Sequence, residues 1–304
     1  MNWLVKVASF KLLSAIPGGS ALYKWAQKNI THSLAPTPPR VRQKLDVAIR
    51  YLETLEREPG WRLEGKTLLD FGSGWHPTIP LFFYACGCDR QWLLDVVPVL
   101  DGELIAATVE TLLQIVNDPA WPHRERLVRR PVPLVEPAAW PEYLRALGIH
   151  YVAPYAPRFG ELDGVVDVVT CTQALLHIER PILAQCFTAI ARCLRPGGQF
   201  LATVHLKDLF ADLGGVSQYN HLRYSPGVWR HLLSSPLMSF NRLKAPDYRE
   251  LLEAAGFDLA VWEVEAGNAQ DLAELERLPL DPSFRKYARE DLAAKHLYFA
   301  ARKR

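Results

Sequence analysis

A short apolar run, Thr67-Leu68-Leu69, ends on the carboxylate of Asp70 and breaks into Gly72-Ser73-Gly74. That order of residue types suits ligand binding. Glycines allow tight turn conformations and let backbone N–H groups approach a ligand closely, because no Cβ intervenes. A second apolar run, Gln91-Trp92-Leu93-Leu94, closes on another carboxylate, Asp95. It lies about 20 residues beyond the glycines, where a βαβ unit sets an acid that accepts hydrogen bonds from ribose hydroxyls. The alternative for Asp95 is a turn residue or a helix cap. A dinucleotide fingerprint requires a third glycine at position 77, and the chain has Pro77 there.

Stepping outward to the elements that carry these residues, the apolar stretch 78–86 predicts a helix packed on a sheet and ended by Gly87. The whole arrangement resembles the class I S-adenosylmethionine-dependent methyltransferases, with Asp70, Gly72 and Gly74 filling their first motif and His76 in place of its last glycine. Three later stretches extend the resemblance over residues 60–304. Gly164-Val165-Val166-Asp167 through Gln173 to His177 is similar to the fourth strand and its loop; Leu194-Arg195-Pro196-Gly197-Gly198 to the turn into the fifth; and Tyr248 through Gly256-Phe257 to the helix and turn before the sixth. The resemblance implies a Rossmann-like, doubly wound α/β fold with a seven-stranded, mostly parallel sheet whose last strand is inserted antiparallel. It also implies S-adenosylmethionine as cofactor and S-adenosylhomocysteine as product, held by Asp70, Gly72, Ser73, Gly74, Asp95 and Gln173.

Composition fits one large α/β domain with additions: the 304 residues are 49% apolar and 22% charged. A net charge of +2 argues against a polyanionic partner, and Thr170-Cys171-Thr172-Gln173 lacks the Pro-Pro-aromatic run of enzymes that methylate base amino groups, so no nucleic acid is expected. No apolar run reaches the roughly 18 residues of a membrane span. Five cysteines, Cys86, Cys88, Cys171, Cys186 and Cys193, lie in apolar contexts and read as buried thiols of a cytoplasmic protein, with no metal site.

Residues 1–16 place Trp3, Val7, Phe10 and Leu13 at helical spacing, which suits a cap over a substrate pocket or plain packing, and also admits weak contact with a membrane surface. After the stiff segment 35–40, residues 41–55 give a second amphipathic helix with Leu45, Ala48, Leu52 and Leu55 on one stripe. The expected organisation is therefore an N-terminal helical cap (1–60) and a methyltransferase domain (61–304) carrying helical insertions at about 97–148. Residues 104–116 read as a helix within that insertion, and 150–153 as the third strand. Six prolines occupy 118–141 together with Arg124, Arg126, Arg129 and Arg130, which form a solvated loop face or else meet an acidic substrate group or a nucleic acid backbone.

The segment from about 205 to 245 is longer and richer in aromatic and hydrogen-bonding residues than a connection requires. It reads either as substrate lining or as a packed excursion. His205, Asp208, Asn220, Tyr224, Trp229 and Arg242 are its candidate substrate-binding residues, with an internal Arg242–Asp208 pair as the alternative. His177 is the candidate catalytic base, a histidine that only bonds a neighbouring loop being the other reading. The expected function is methyl transfer to a hydroxyl or amine of a small, partly apolar acceptor. A non-methylating S-adenosylmethionine-binding protein of the same fold stands beside it.

Overall fold

The structure is a computed structural model that describes residues 3–127, 130–155 and 160–304; Arg129 of the arginine group lies outside the described residues. Its helices run, in chain order, α1 (Trp3–Ala15), α2 (Gly19–Asn29), α3 (Pro38–Glu56), α4 (Thr78–Ala85), α5 (Gly102–Asn117), α6 (Arg124–Leu127), α7 (Trp140–Ala146), α8 (Arg180–Cys193), α9 (Pro226–Val228), α10 (Ala245–Ala254), α11 (Ala269–Arg277) and α12 (Arg289–Ala293). The strands are β1 (Thr67–Phe71), β2 (Arg90–Leu94), β3 (Ile149–Val152), β4 (Val166–Thr172), β5 (Leu194–His205), β6 (Phe257–Glu265) and β7 (His296–Lys303). They form one seven-stranded sheet in the order β3-β2-β1-β4-β5-β7-β6, with β7 inserted between β5 and β6. The order reverses between β1 and β4, which is where open α/β sheets bind ligands.

Two compact units divide the chain. One comprises Ser33–Ala174, Thr188–Ala202 and Ala300–Arg304. In it β1 pairs in parallel with β2 and with β4, and β2 with β3. All five residues of β1 are buried, as a central parallel strand covered on both faces requires. Helix α3 starts on Pro38, whose fixed φ suits the first helical turn, and buries Val41, Leu45, Ala48, Leu52 and Leu55. Helix α5 is capped by Asp101, whose carboxylate accepts from the N–H groups of Glu103 and Leu104. The Arg195–Gly198 segment, expected as a turn, is counted within β5, and Gly197 still takes φ 74° there.

The other unit comprises Met1–His32, Leu175–Phe187 and Thr203–Phe299. Tyr219, Leu222, Leu275, Phe284, Leu292 and Ala293 make a core in it. The α1 stripe read from the sequence turns inward: Trp3 packs at 5.7 Å from Phe210 and 6.1 Å from Tyr224, and Phe10 at 5.5 Å from Tyr23. Helix α2 was not singled out in the sequence, although its apolar residues also gather on one side.

At the amino end of β4, the Asp167 carboxylate accepts from the Thr67 N–H at 2.9 Å and pairs with Lys66 at 3.2 Å and Arg195 at 3.4 Å, tying β1, β4 and β5 together. Hydrogen bonds to a charged group contribute about 1.5–3 kcal/mol. Asp167→Ala is expected to lower unfolding free energy by about that amount in urea titration, and an unchanged midpoint would show that water replaces the carboxylate without loss.

Candidate functional site

The carboxyl ends of β1, β2 and β4 bring the sequence-selected residues of this unit together. Asp70 is buried and lies opposite Thr170 in the sheet register. The Thr170 hydroxyl donates to Asp70 Oδ1 at 2.7 Å. Burial raises the Asp70 carboxyl above its ordinary value, against the lowering effects of Thr170, Ser73 and Lys44. Ser73, also buried, donates its hydroxyl to the Asp70 carbonyl at 3.2 Å and so closes the turn.

Both glycines of the turn take positive φ, 76° at Gly72 and 70° at Gly74. Gly72 has a second constraint. A Cβ added there would stand 2.3 Å from Cβ of Ala174, in the loop after β4. That loop is itself held in an uncommon conformation, with Gln173 at φ 59°. Gln173 therefore enters the site by shaping the loop that meets Gly72.

Asp95 follows β2 and is buried. Its Oδ1 accepts from the Gly74 N–H at 3.2 Å, whereas Oδ2 is buried with no hydrogen-bond partner among the described residues. Burial, then the neighbouring Asp70 charge, pushes the carboxyl up to about 7; the Gly74 N–H, the Tyr151 hydroxyl and Lys44 oppose that rise. A buried acceptor without a donor is costly, and a ligand hydroxyl would satisfy it.

Lys44 was missed in the sequence. It comes from α3, donates to the His76 carbonyl at 3.1 Å, and interacts with both Asp70 and Asp95, while burial lowers its pKa. Tyr51, seven positions on and so on the same helix face, is fully buried and donates to the Cys171 carbonyl at 2.9 Å. The signal available was that face: Lys44 and Tyr51 border the apolar stripe of Leu45, Ala48, Leu52 and Leu55. His76, which stands at the last glycine of the family motif, points to α5 at 3.2 Å from the Thr108 hydroxyl; burial, with Lys44 and Arg40, lowers its pKa to about 4.

The remaining sequence-selected residues lie in the other unit. His177 is exposed at the end of a short 3-10 turn, its Nδ1 2.6 Å from the Ser239 carbonyl. Only the protonated nitrogen can bond a carbonyl, so Nε2 is left as an acceptor. Asp208 is fully buried, accepts from the N–H of Phe210 and the amide of Asn220, and is pushed up to about 6 by burial. The Arg242 guanidinium does not pair with it. Nη1 donates to the carbonyls of His221 at 3.0 Å and Tyr224 at 2.6 Å, and the group stacks 5.0 Å from the Trp229 ring. Trp229 donates to the Phe240 carbonyl at 3.2 Å. His205 packs 4.2 Å from the His296 ring, and burial lowers its pKa to about 4. His177, Arg180, Trp229, Phe240 and Arg242 line a cavity of about 530 Å³ in this unit. Among the described residues no group of three or more His, Cys, Asp or Glu is placed to hold a metal ion, and the five cysteines are buried without disulfides.

A family model described as a methyltransferase domain matches residues 43–261. No curated protein matches the sequence. Among solved structures, the chain is similar to geranyl diphosphate C-methyltransferase from Streptomyces coelicolor A3(2) at 11% identity, over 88% of this chain and 84% of that one, with a TM-score of 0.46. It is similar to an S-adenosylmethionine-dependent methyltransferase from Methanosarcina mazei at 11% identity, over 80% and 94%, TM-score 0.45. A phosphoethanolamine N-methyltransferase 2 from Haemonchus contortus matches at 18% identity, over 85% and 52%, TM-score 0.43.

The Asp95 geometry sets a pH dependence. Its folded pKa of about 7 lies above the ordinary 3.8, so the folded state binds the proton more tightly than the unfolded one. Its contribution to stability is full below about pH 4 and is lost as pH rises through about 7. Asn at this position cannot ionise. Asp95→Asn should therefore gain stability relative to the parent on going from about pH 5 to about pH 8, read by urea unfolding at both values. A difference that stays constant would mean that Asp95 titrates normally.

Proposed function

The chain belongs to the methyltransferase-domain family, and we propose that it transfers the methyl group of S-adenosylmethionine to a hydroxyl or amine of a small, partly apolar molecule. The observation that carries the cofactor assignment is the unpartnered, buried Oδ2 of Asp95 beside the Gly72–Gly74 turn. Asp95 would hold the ribose hydroxyls of the cofactor through that oxygen, and Gly72, with no Cβ to displace Ala174, keeps the turn close-packed. Asp70 and Ser73 fix the turn rather than reach outward. Lys44 offsets the paired negative charge of Asp70 and Asp95, which keeps an ionised acceptor accessible near neutral pH.

When bound, the cofactor supplies an activated methyl on sulfur. The protein then has to align the acceptor, exclude water and receive a proton from a hydroxyl nucleophile. His177 suits the last task, because its Nδ1–H is committed to Ser239 and Nε2 remains the basic nitrogen. The cavity beside it suits a partly apolar acceptor. Trp229 and Phe240 offer rigid apolar surface, whereas Arg242 keeps its Nε and Nη2 donors without a partner among the described residues. Burial lowers the Arg242 pKa to about 10 against the raising effect of the Asp281 and Asp208 charges, and a polar or anionic group of the acceptor would find a donor there. Asp208 and Asn220 act behind this wall by bonding each other, with Tyr224 holding Arg242 through its carbonyl. The buried thiols favour a cytoplasmic setting.

Calorimetric titration with S-adenosylhomocysteine is expected to give tight binding to the parent and a loss of about 1.5–3 kcal/mol for Asp95→Ala. Equal affinities would remove Asp95 from the cofactor site. His177→Ala and His177→Gln should leave that affinity unchanged and lower turnover of a hydroxyl acceptor by roughly 100-fold; full turnover in either variant would reject the base assignment.

A further inference from the structure

Helix α1 is apolar on two opposite faces. At about 3.6 residues per turn, Trp3, Val7, Phe10 and Ser14 share the side that packs inward, against Phe210, Tyr224 and Tyr23. Leu4, Ala8, Leu12 and Ile16 share the other side, joined by Val5 and Ala15, and every one of these is exposed, Leu12 to 65%. A helix that is apolar all round is ordinarily buried in a core or in lipid. Helix α2 follows after Gly18, at φ 77°, and adds Leu22 and Trp25 on one face, exposed to 53% and 54%, with Ile30 just beyond it at 62%. In the same unit, Lys11 of α1 donates to the His231 carbonyl, and the neighbouring Leu232 is 61% exposed, which extends the apolar surface.

Charge decides what this surface meets. Residues 1–45 contain no Asp or Glu, while Lys6, Lys11, Lys24 and Lys28 fall within α1 and α2. On α1, Lys6 and Lys11 stand at the two borders of the outward apolar face, where long side chains can lay their methylene stems along hydrocarbon and raise the ammonium to the headgroups. Trp25, with a broad apolar ring and one N–H, suits the same boundary. A second copy of this chain would oppose lysines with lysines. An anionic headgroup layer complements them. Neither helix is long and apolar enough to cross a bilayer, so the pair would lie in the interface plane.

We infer that α1 and α2 form a peripheral docking surface for anionic phospholipid membranes, with Leu4, Leu12, Ile16, Leu22 and Trp25 entering the acyl boundary and the four lysines meeting phosphate. The surface shares no residue with the cofactor site. The 304-residue chain should co-sediment with vesicles of phosphatidylcholine and phosphatidylglycerol, less with phosphatidylcholine alone, and less again as ionic strength is raised. Leu12→Glu with Trp25→Glu should weaken binding by at least about tenfold while leaving S-adenosylhomocysteine affinity at the parent value, which shows that the fold is retained. Lys6→Gln with Lys24→Gln should weaken the preference for phosphatidylglycerol by at least about tenfold without exposing or removing apolar surface. The inference fails if the parent binds neither vesicle, binds both equally, or forms a dimer in solution that the Leu12→Glu, Trp25→Glu variant dissociates.

Discussion

Two carboxylates buried at the carboxyl edge of one sheet, Asp70 and Asp95, repel each other, and the surrounding structure is arranged to hold them there. Each is raised by burial. What offsets the repulsion differs between them. Asp70 receives a side-chain hydroxyl from β4, and Asp95 receives a backbone N–H from the turn that Asp70 begins. Lys44 interacts with both. The arrangement leaves one oxygen of Asp95 without a donor, and a buried acceptor in that state binds a hydroxyl more strongly than a hydrated one would. The loop at Gln173, with φ 59°, and the missing Cβ at Gly72 belong to the same constraint, because a larger residue at 72 would collide with Ala174 of that loop.

The unit that contains residues 203–299 solves a different problem, the burial of charge without a ligand. Lys244 is fully buried and its pKa falls to about 7, yet its Nζ has the Leu206 carbonyl at 2.9 Å and His221 Nε2 at 3.2 Å. Asp247 accepts from Arg180 at 2.7 Å and from the Tyr287 hydroxyl at 2.7 Å. Hydrogen bonds linked in this way rigidify the backbone they cross. Arg242 stands at their edge with φ 61°, its Nη1 donating to two backbone carbonyls and its Nε and Nη2 without a hydrogen-bond partner among the described residues.

Much of the fold was legible because it depends on local pattern. The strands around Leu68, Leu93 and Val168 are continuous apolar runs, as parallel strands covered on both faces must be, and helices α3 and α5 follow a 3.6-residue repeat that burial on one side imposes. Within the site, Asp70, Gly72, Gly74 and Asp95 were found because glycine and carboxylate at fixed spacing around a strand end have few other uses. Lys44 and Thr170 carried no such mark. Lysine on an amphipathic helix is ordinarily a solvated residue, and threonine in a strand ordinarily a β-former, so their pairing with Asp70 across 26 and 100 positions exists only once the strands are side by side.

The substrate-side residues mark the same division. Aromatic and polar richness between 205 and 245 signalled that the segment does more than connect, but it could not distinguish a side chain aimed at a ligand from one aimed at a neighbouring carbonyl. Asp208 and Asn220 bond to each other, Trp229 bonds to Phe240, and His177 bonds to Ser239. Likewise the residues of α1 announced one apolar stripe, and only packing revealed which face was consumed and which remained outside. The sequence by itself determined the main strands, helices α3 and α5, and the glycine turn with the acid that faces it, because periodicity and glycine act within a few residues. The tertiary structure alone decided which polar groups are satisfied, because hydrogen bonds are short and directional and their partners lie far apart in the chain.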